Sequence, residues 1–181
     1  MAGLKCPRNW ERPDIFTTED LVSAYKKLPL DGLYESVNSL KLALDSAGEN
    51  RENYWKNRVL PFLETIWPKS KDKTLINHPE SFALLCIAAG YEFPSAVKKV
   101  RGYLQVIPEP YYVIHRLHQS GLSDNFPKDV LLLLSIIVSN DVIFLPQDIR
   151  ECLNAIINAD STLEKDTDFI KLDALARKFN I

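Results

Sequence analysis

The chain has 181 residues, 46% of them hydrophobic and 25% charged, with Gly 6 and Pro 11. That is the composition of a folded globular chain, and it excludes a largely disordered one or a flexible Gly-Ser linker. The formal net charge of -2 is not that of a protein whose main work is non-specific binding to nucleic acid or anionic membrane, which is normally basic.

In chain order the dominant signal is helix. Residues 1–16 read as a polar extension and 17–181 as a single α-helical domain. Thr17 with Asp20 opens a helix to about Leu28, with acidic residues in its first turn. Asp31 can cap the next, which carries Leu33, Val37, Leu40 and Leu44 on one face and stops at Gly48. A third runs from about Asn50 to Trp67, and Pro61 inside it should kink or split it. Pro79, Pro94, Pro110, Pro127 and Pro146 then each precede an apolar pattern of helical period, at spacings of 15, 16, 17 and 19 residues. Proline is tolerated at the first helical position, where its missing N–H would be unpaired anyway. Val142–Leu145 is the one β-like run, and with no partner strand it reads as a connection packed onto the core. The last helix spans about Asp166 to Phe179.

A weak repeat runs through the middle. Gly90 leads to Phe93-Pro94-x-x-Val97, and Gly121, 31 residues on, leads to Phe126-Pro127-x-x-Val130. Leu145-Pro146-x-x-Ile149 is a degenerate copy. Glycine in the left-handed conformation closes one helix and proline starts the next. The expected fold is all-α, with about eight to nine short helices stacked as antiparallel pairs, either a HEAT-like repeat or an irregular α-bundle. Its core is expected to hold Leu40, Leu44, Trp55, Phe62, Ile66, Leu84, Ile87, Val97, Leu104, Ile114, Leu117, Leu131, Leu134, Leu153, Ile156 and Leu172, each on its helix's apolar face.

No phosphate-cradling glycine loop, nucleophile elbow, H-E-x-x-H or C-x-x-C is present, so no catalytic or cofactor-binding residues are assigned. His115 and His118 share a helix side, but a zinc site needs a further ligand, and they read as a helix-end pair meeting the dipole. Cys86 lies in an apolar stretch that raises a thiol's pKa, so it reads as core. Residues 1–20 hold Lys5, Arg8 and Arg12 without the apolar run of a signal peptide. The longest apolar run, Val130–Val138, is far short of the roughly 20 residues that span a bilayer. The expected location is therefore the cytoplasm, with no membrane association, no cofactor and no small-molecule substrate.

Charge is uneven. Residues 51–103 carry nine basic and five acidic side chains, whereas 141–181 carry five basic and eight acidic. Arg51, Lys56, Lys98, Lys99 and Arg101 are the candidates for touching a phosphate backbone, although a solvated or protein-docking face explains the same charges. Arg58 follows Tyr54 by one turn and can stack on its ring, the composition of an interface anchor. The alternative is that Trp55 is core and Arg58 covers it. Tyr111 and Tyr112 point about 100° apart on a helix, so at least one should reach solvent. Tyr54, Arg58, Tyr111 and Tyr112 are the protein-interface candidates.

Tyr54-Trp55-x-x-Arg58-Val59-x-Pro61-Phe62 leading to Ile66-Trp67-Pro68-Lys69, with Leu85–Gly90, Phe93-Pro94, Ser120-Gly121-Leu122, Phe126-Pro127-x-x-Val130-Leu131, Cys152-Leu153-x-x-Ile156, Asp166-x-x-Phe169-x-x-Leu172 and Ala176-Arg177, resembles the helical C-terminal regions of large bacterial antiphage-defence proteins. Those proteins carry sirtuin-like, nuclease or P-loop NTPase effectors elsewhere in the chain, and no such motif is found here. The resemblance implies a helical module that senses or scaffolds, with a protein or other domains of a larger defence protein as partner. A helical domain contacting nucleic acid through residues 51–103 is the alternative.

Overall fold

The computed structural model describes residues 18–25, 31–66 and 79–180, and among them every regular element is helical. The elements are α1 (Thr18–Tyr25), α2 (Asp31–Ser46), α3 (Arg51–Tyr54), α4 (Leu60–Ile66), α5 (Pro79–Ala88), α6 (Phe93–Val100), α7 (Tyr111–Gln119), the single turn α8 (Leu122–Asn125), α9 (Pro127–Ile137), α10 (Asp148–Ala159) and α11 (Thr167–Lys178). None is long and apolar enough to cross a membrane. The 1–16 extension lies outside the described residues.

Prolines mark the starts as expected. Pro79 and Pro127 open their helices, Pro94 lies in the first turn of α6, and Pro110 immediately precedes α7. Side-chain caps close two other starts: Asp160 accepts from Thr162 N, and Asp166 from Asp168 N. Pro61 does not split its helix. A π turn over Trp55–Val59 joins α3 to α4 just before it, the wider turn in which such helices relieve a lost hydrogen bond.

Glycine ends three helices in the left-handed conformation: Gly48 at φ 53°, Gly90 at 60° and Gly121 at 65°. The first two stand in the same turn. Ala47 and Ala89 precede them near φ -70°, ψ -15° and φ -68°, ψ -15°. Asn50 and Glu92 follow at φ -86°, ψ 6° and φ -88°, ψ 10°. Asn50 N donates to Ala47 O at 3.0 Å, and Glu92 N to Ala89 O at 3.2 Å. The repeat therefore has an earlier copy at Gly48, 42 residues before Gly90.

The packing follows that repeat. Among the described residues there are four helical units: α2 with α3–α4, α5 with α6, α7 joined to α9 through the single turn α8 that packs on both, and α10 with α11. The first helix of each pair packs on the first helix of the next, α2 on α5, α5 on α7 and α7 on α10. The second helices follow suit, α6 on α9 and α9 on α11. Lys99–Glu64 at 3.2 Å and Lys56–Glu92 at 3.1 Å tie the first pair to the second, and His115–Asp148 at 3.2 Å ties the third to the fourth. Arg150 and Asp173 join α10 to α11. Burial would raise the Asp173 pKa, but its hydrogen bonds to Arg150 and Arg177 outweigh that and hold it below the usual carboxylate range. This pairing therefore stabilises the fold above the ordinary carboxylate pKa and is lost as pH falls through the lowered one.

One apolar core runs through the stack. Every expected core side chain whose burial is described is buried, from Leu40 to Leu172, while the Ile66 side chain lies outside the described set. Gly90 sits where the first and second turns meet, and a Cβ there would lie 3.0 Å from Arg51 Cδ. Gly90→Val should lose about 1–2 kcal/mol from the left-handed backbone alone, and more where Arg51 must shift, read as a lower urea midpoint. Gly102→Ala, in open space and at ordinary φ, should change the midpoint little.

Candidate recognition surface

The stack has two edges. The turns within pairs (47–50, 89–92 and 120–126) line one: a cavity of about 390 Å³ there is shared by Gly48, Gly90, Tyr91, Leu122 and Phe126. The connections between pairs (101–110 and 138–147) form the other. Ile107 N donates to Ile137 O at 2.9 Å, which fastens the first connection to the end of α9 where the second begins. His115 Nδ1 lies 3.2 Å from Asp148 Oδ2, which fastens the first half of α7 to the start of α10 where the second ends.

This second edge gathers exposed apolar side chains. Val106 is 49% exposed, Tyr111 51%, Tyr112 40%, Phe144 63% and Ile143 93%. Single exposed apolar residues are ordinary, whereas large contiguous exposed apolar patches are not. In the second connection Val142 and Leu145 are buried and hold the loop down, while Ile143 and Phe144 between them face out. The expectation of a connection packed onto the core thus holds for its two ends and not for its middle. Sequence reasoning found Tyr111 and Tyr112, both exposed, and missed Ile143 and Phe144.

The Tyr54–Arg58 cluster is elsewhere, at the π turn of the first pair. Arg58 is only 7% exposed and Trp55 is fully buried, so Arg58 is not an exposed anchor. The reading that Trp55 is core stands. Tyr54 is half-buried. The Arg58 Nε and Nη2 and the Trp55 Nε1 are buried without hydrogen-bond partners. A cavity of about 680 Å³ opens beside Arg58 and Tyr54.

The basic candidates do not form one free stripe. Arg51 Nε donates to Leu44 O at 3.2 Å, Lys56 pairs with Glu52 and Glu92, and Lys99 pairs with Glu64. Lys98 and Arg101 are exposed. His115 and His118 are exposed, and among the described residues no group of three His, Cys, Asp or Glu side chains could hold a metal ion. Burial pushes the Cys86 thiol far above its ordinary pKa. Burial likewise pushes Cys152 up to about 12. Both thiols therefore stay protonated at neutral pH, whereas nucleophilic attack needs the thiolate. No protein-family model, curated protein or solved structure matches the chain.

Proposed function

We propose that the chain is a non-catalytic recognition module, a HEAT-like stack of helical pairs that binds a protein partner along the edge formed by its inter-pair connections. The observation that carries this reading is the exposure of Ile143 and Phe144 on one connection and of Val106, Tyr111 and Tyr112 on and just after the other. Aromatic and aliphatic side chains of this kind anchor interfaces, because they bury large apolar area when a partner excludes water. A stack of pairs repeats one edge along its length and so presents an extended surface rather than a deep pocket. The resemblance to the helical C-terminal regions of bacterial antiphage-defence proteins supplies the setting: a cytoplasmic sensing or scaffolding part that works with another protein or with other domains. The partner class is protein, since three of the five basic candidates for nucleic acid are already held by groups of this chain.

Photo-crosslinking tests this directly. A photoreactive residue at Phe144 should cross-link one discrete protein in the native cell, and the same residue at Glu49 on the opposite edge should not. Equal cross-linking at both positions, or none at Phe144, would contradict the reading.

A further inference from the structure

Each connection on the proposed binding edge carries one exposed carboxylate within two residues of an exposed apolar side chain. In the first, Glu109 lies between Val106 and Tyr111; in the second, Asp141 lies two residues before Ile143. Two residues of chain span at most about 7 Å, so charge and apolar surface fall within the footprint of one partner. A turn holds Asp141 in place: Val142 N donates to Ser139 O at 3.2 Å, and Asp141 N to Ser139 Oγ at 3.1 Å. Neither carboxylate has an ion-pair partner among the described residues, whereas Asp148, the third acid of the edge, is held by His115. From Leu104 to Ile114 and from Val138 to Ile149 no Lys or Arg occurs. The exposed Arg101 lies outside that stretch, beyond the buried Tyr103. Helices both end here (α6 and α9) and begin here (α7 and α10), so their dipoles oppose and add no net sign. The edge is therefore apolar and negative.

We propose that the segment bound here is basic: a stretch of a partner protein that sets Lys or Arg beside its apolar anchors. This rests on the reading of the edge as a binding surface and adds the partner's chemistry. Complementary potentials steer two surfaces together and fix their register. The same carboxylates repel a phosphate backbone or an anionic membrane. They also disfavour a second copy of the chain docked edge to edge. A two-fold contact pairs a patch with itself, and would set Glu109 and Asp141 against carboxylates of their own kind.

Association and dissociation rates of the intact chain with the purified protein that cross-links through Phe144 test the proposal. Glu109→Gln with Asp141→Asn keeps the side-chain shapes and removes both charges. At about 0.01 M salt, where the screening length is roughly 30 Å, this variant should associate about three- to tenfold more slowly than wild type, with dissociation little changed. At about 1 M salt, where that length is roughly 3 Å, the two should associate alike. Phe144→Ala should instead speed dissociation at least about fivefold and keep the salt response. Equal association of the neutral variant and wild type at low salt, or faster association of the variant, overturns the basic partner. If Phe144→Ala still speeds dissociation in that case, the edge itself stands. A cross-linked protein that is a second copy of this chain also overturns the proposal. No effect of either change, or no cross-link at Phe144, overturns the edge and the proposal together.

Discussion

Leu117→Ala is expected to cost about 2–5 kcal/mol of stability. Leu117 is fully buried in α7, the first helix of the third pair, which packs on α5 at one side and α10 at the other. The loss combines the transfer energy of the removed methyl groups with a cavity that rigid neighbours cannot fill. In a stack where each pair leans only on its neighbours, a weakened third pair also uncouples the two halves. Thermal unfolding should therefore start lower, by roughly 2–4 °C per kcal/mol for a chain of this size, and should broaden. Ile143→Ala, at a side chain that is 93% exposed, should stay within about 0.5 kcal/mol of wild type. A Leu117→Ala protein as stable as that control would mean that α7 is not the spine of the stack.

The second large effect concerns binding. Joint replacement Ile143→Asp and Phe144→Asp should weaken affinity for the partner cross-linked through this edge by at least about 30-fold, the effect of losing an interface anchor of about 2 kcal/mol. Two new carboxylates on a surface that must shed water add their own desolvation cost. Neither side chain belongs to the core, so the melting temperature should stay within a few degrees of wild type, at roughly 2–4 °C per kcal/mol. A titration by calorimetry or biolayer interferometry reads the first number, and a thermal scan the second. Unchanged affinity would place the interface elsewhere on the module.

Much of the fold is legible in the residues because proline and glycine act locally. Proline starts α5, α6, α7 and α9 in the way its ring geometry demands, and Gly90 and Gly121 adopt the left-handed conformation that their spacing suggested. The equivalent turn at Gly48 is harder to read. Arg51-Glu52 stands where Phe93-Pro94 stands after Gly90, and the turn needs only the glycine, not the aromatic-proline pair. Pro61 reads as a kink or a split, and the helix runs on without a split, with a π turn just before the proline.

The candidate sites are legible only in part. Tyr111 and Tyr112 must diverge around a helix, so their exposure follows from geometry alone. Arg58 reads as a surface residue because burying a lone cation is costly, and its burial depends on packing that no local pattern records. Ile143 and Phe144 read as buried because they are apolar. Their exposure follows from the neighbours: Val142 and Leu145 take the inward positions of a short connection and leave the residues between them outside.

The edge formed by the connections between pairs is the proposed binding surface. Hydrogen exchange of the full chain, free and saturated with the cross-linked partner, measures that edge without altering a residue. Added protection should be confined to residues 104–112 and 141–147. Protection at the opposite turns (47–50, 89–92 and 120–125), or no difference along 104–112 and 141–147, would contradict it.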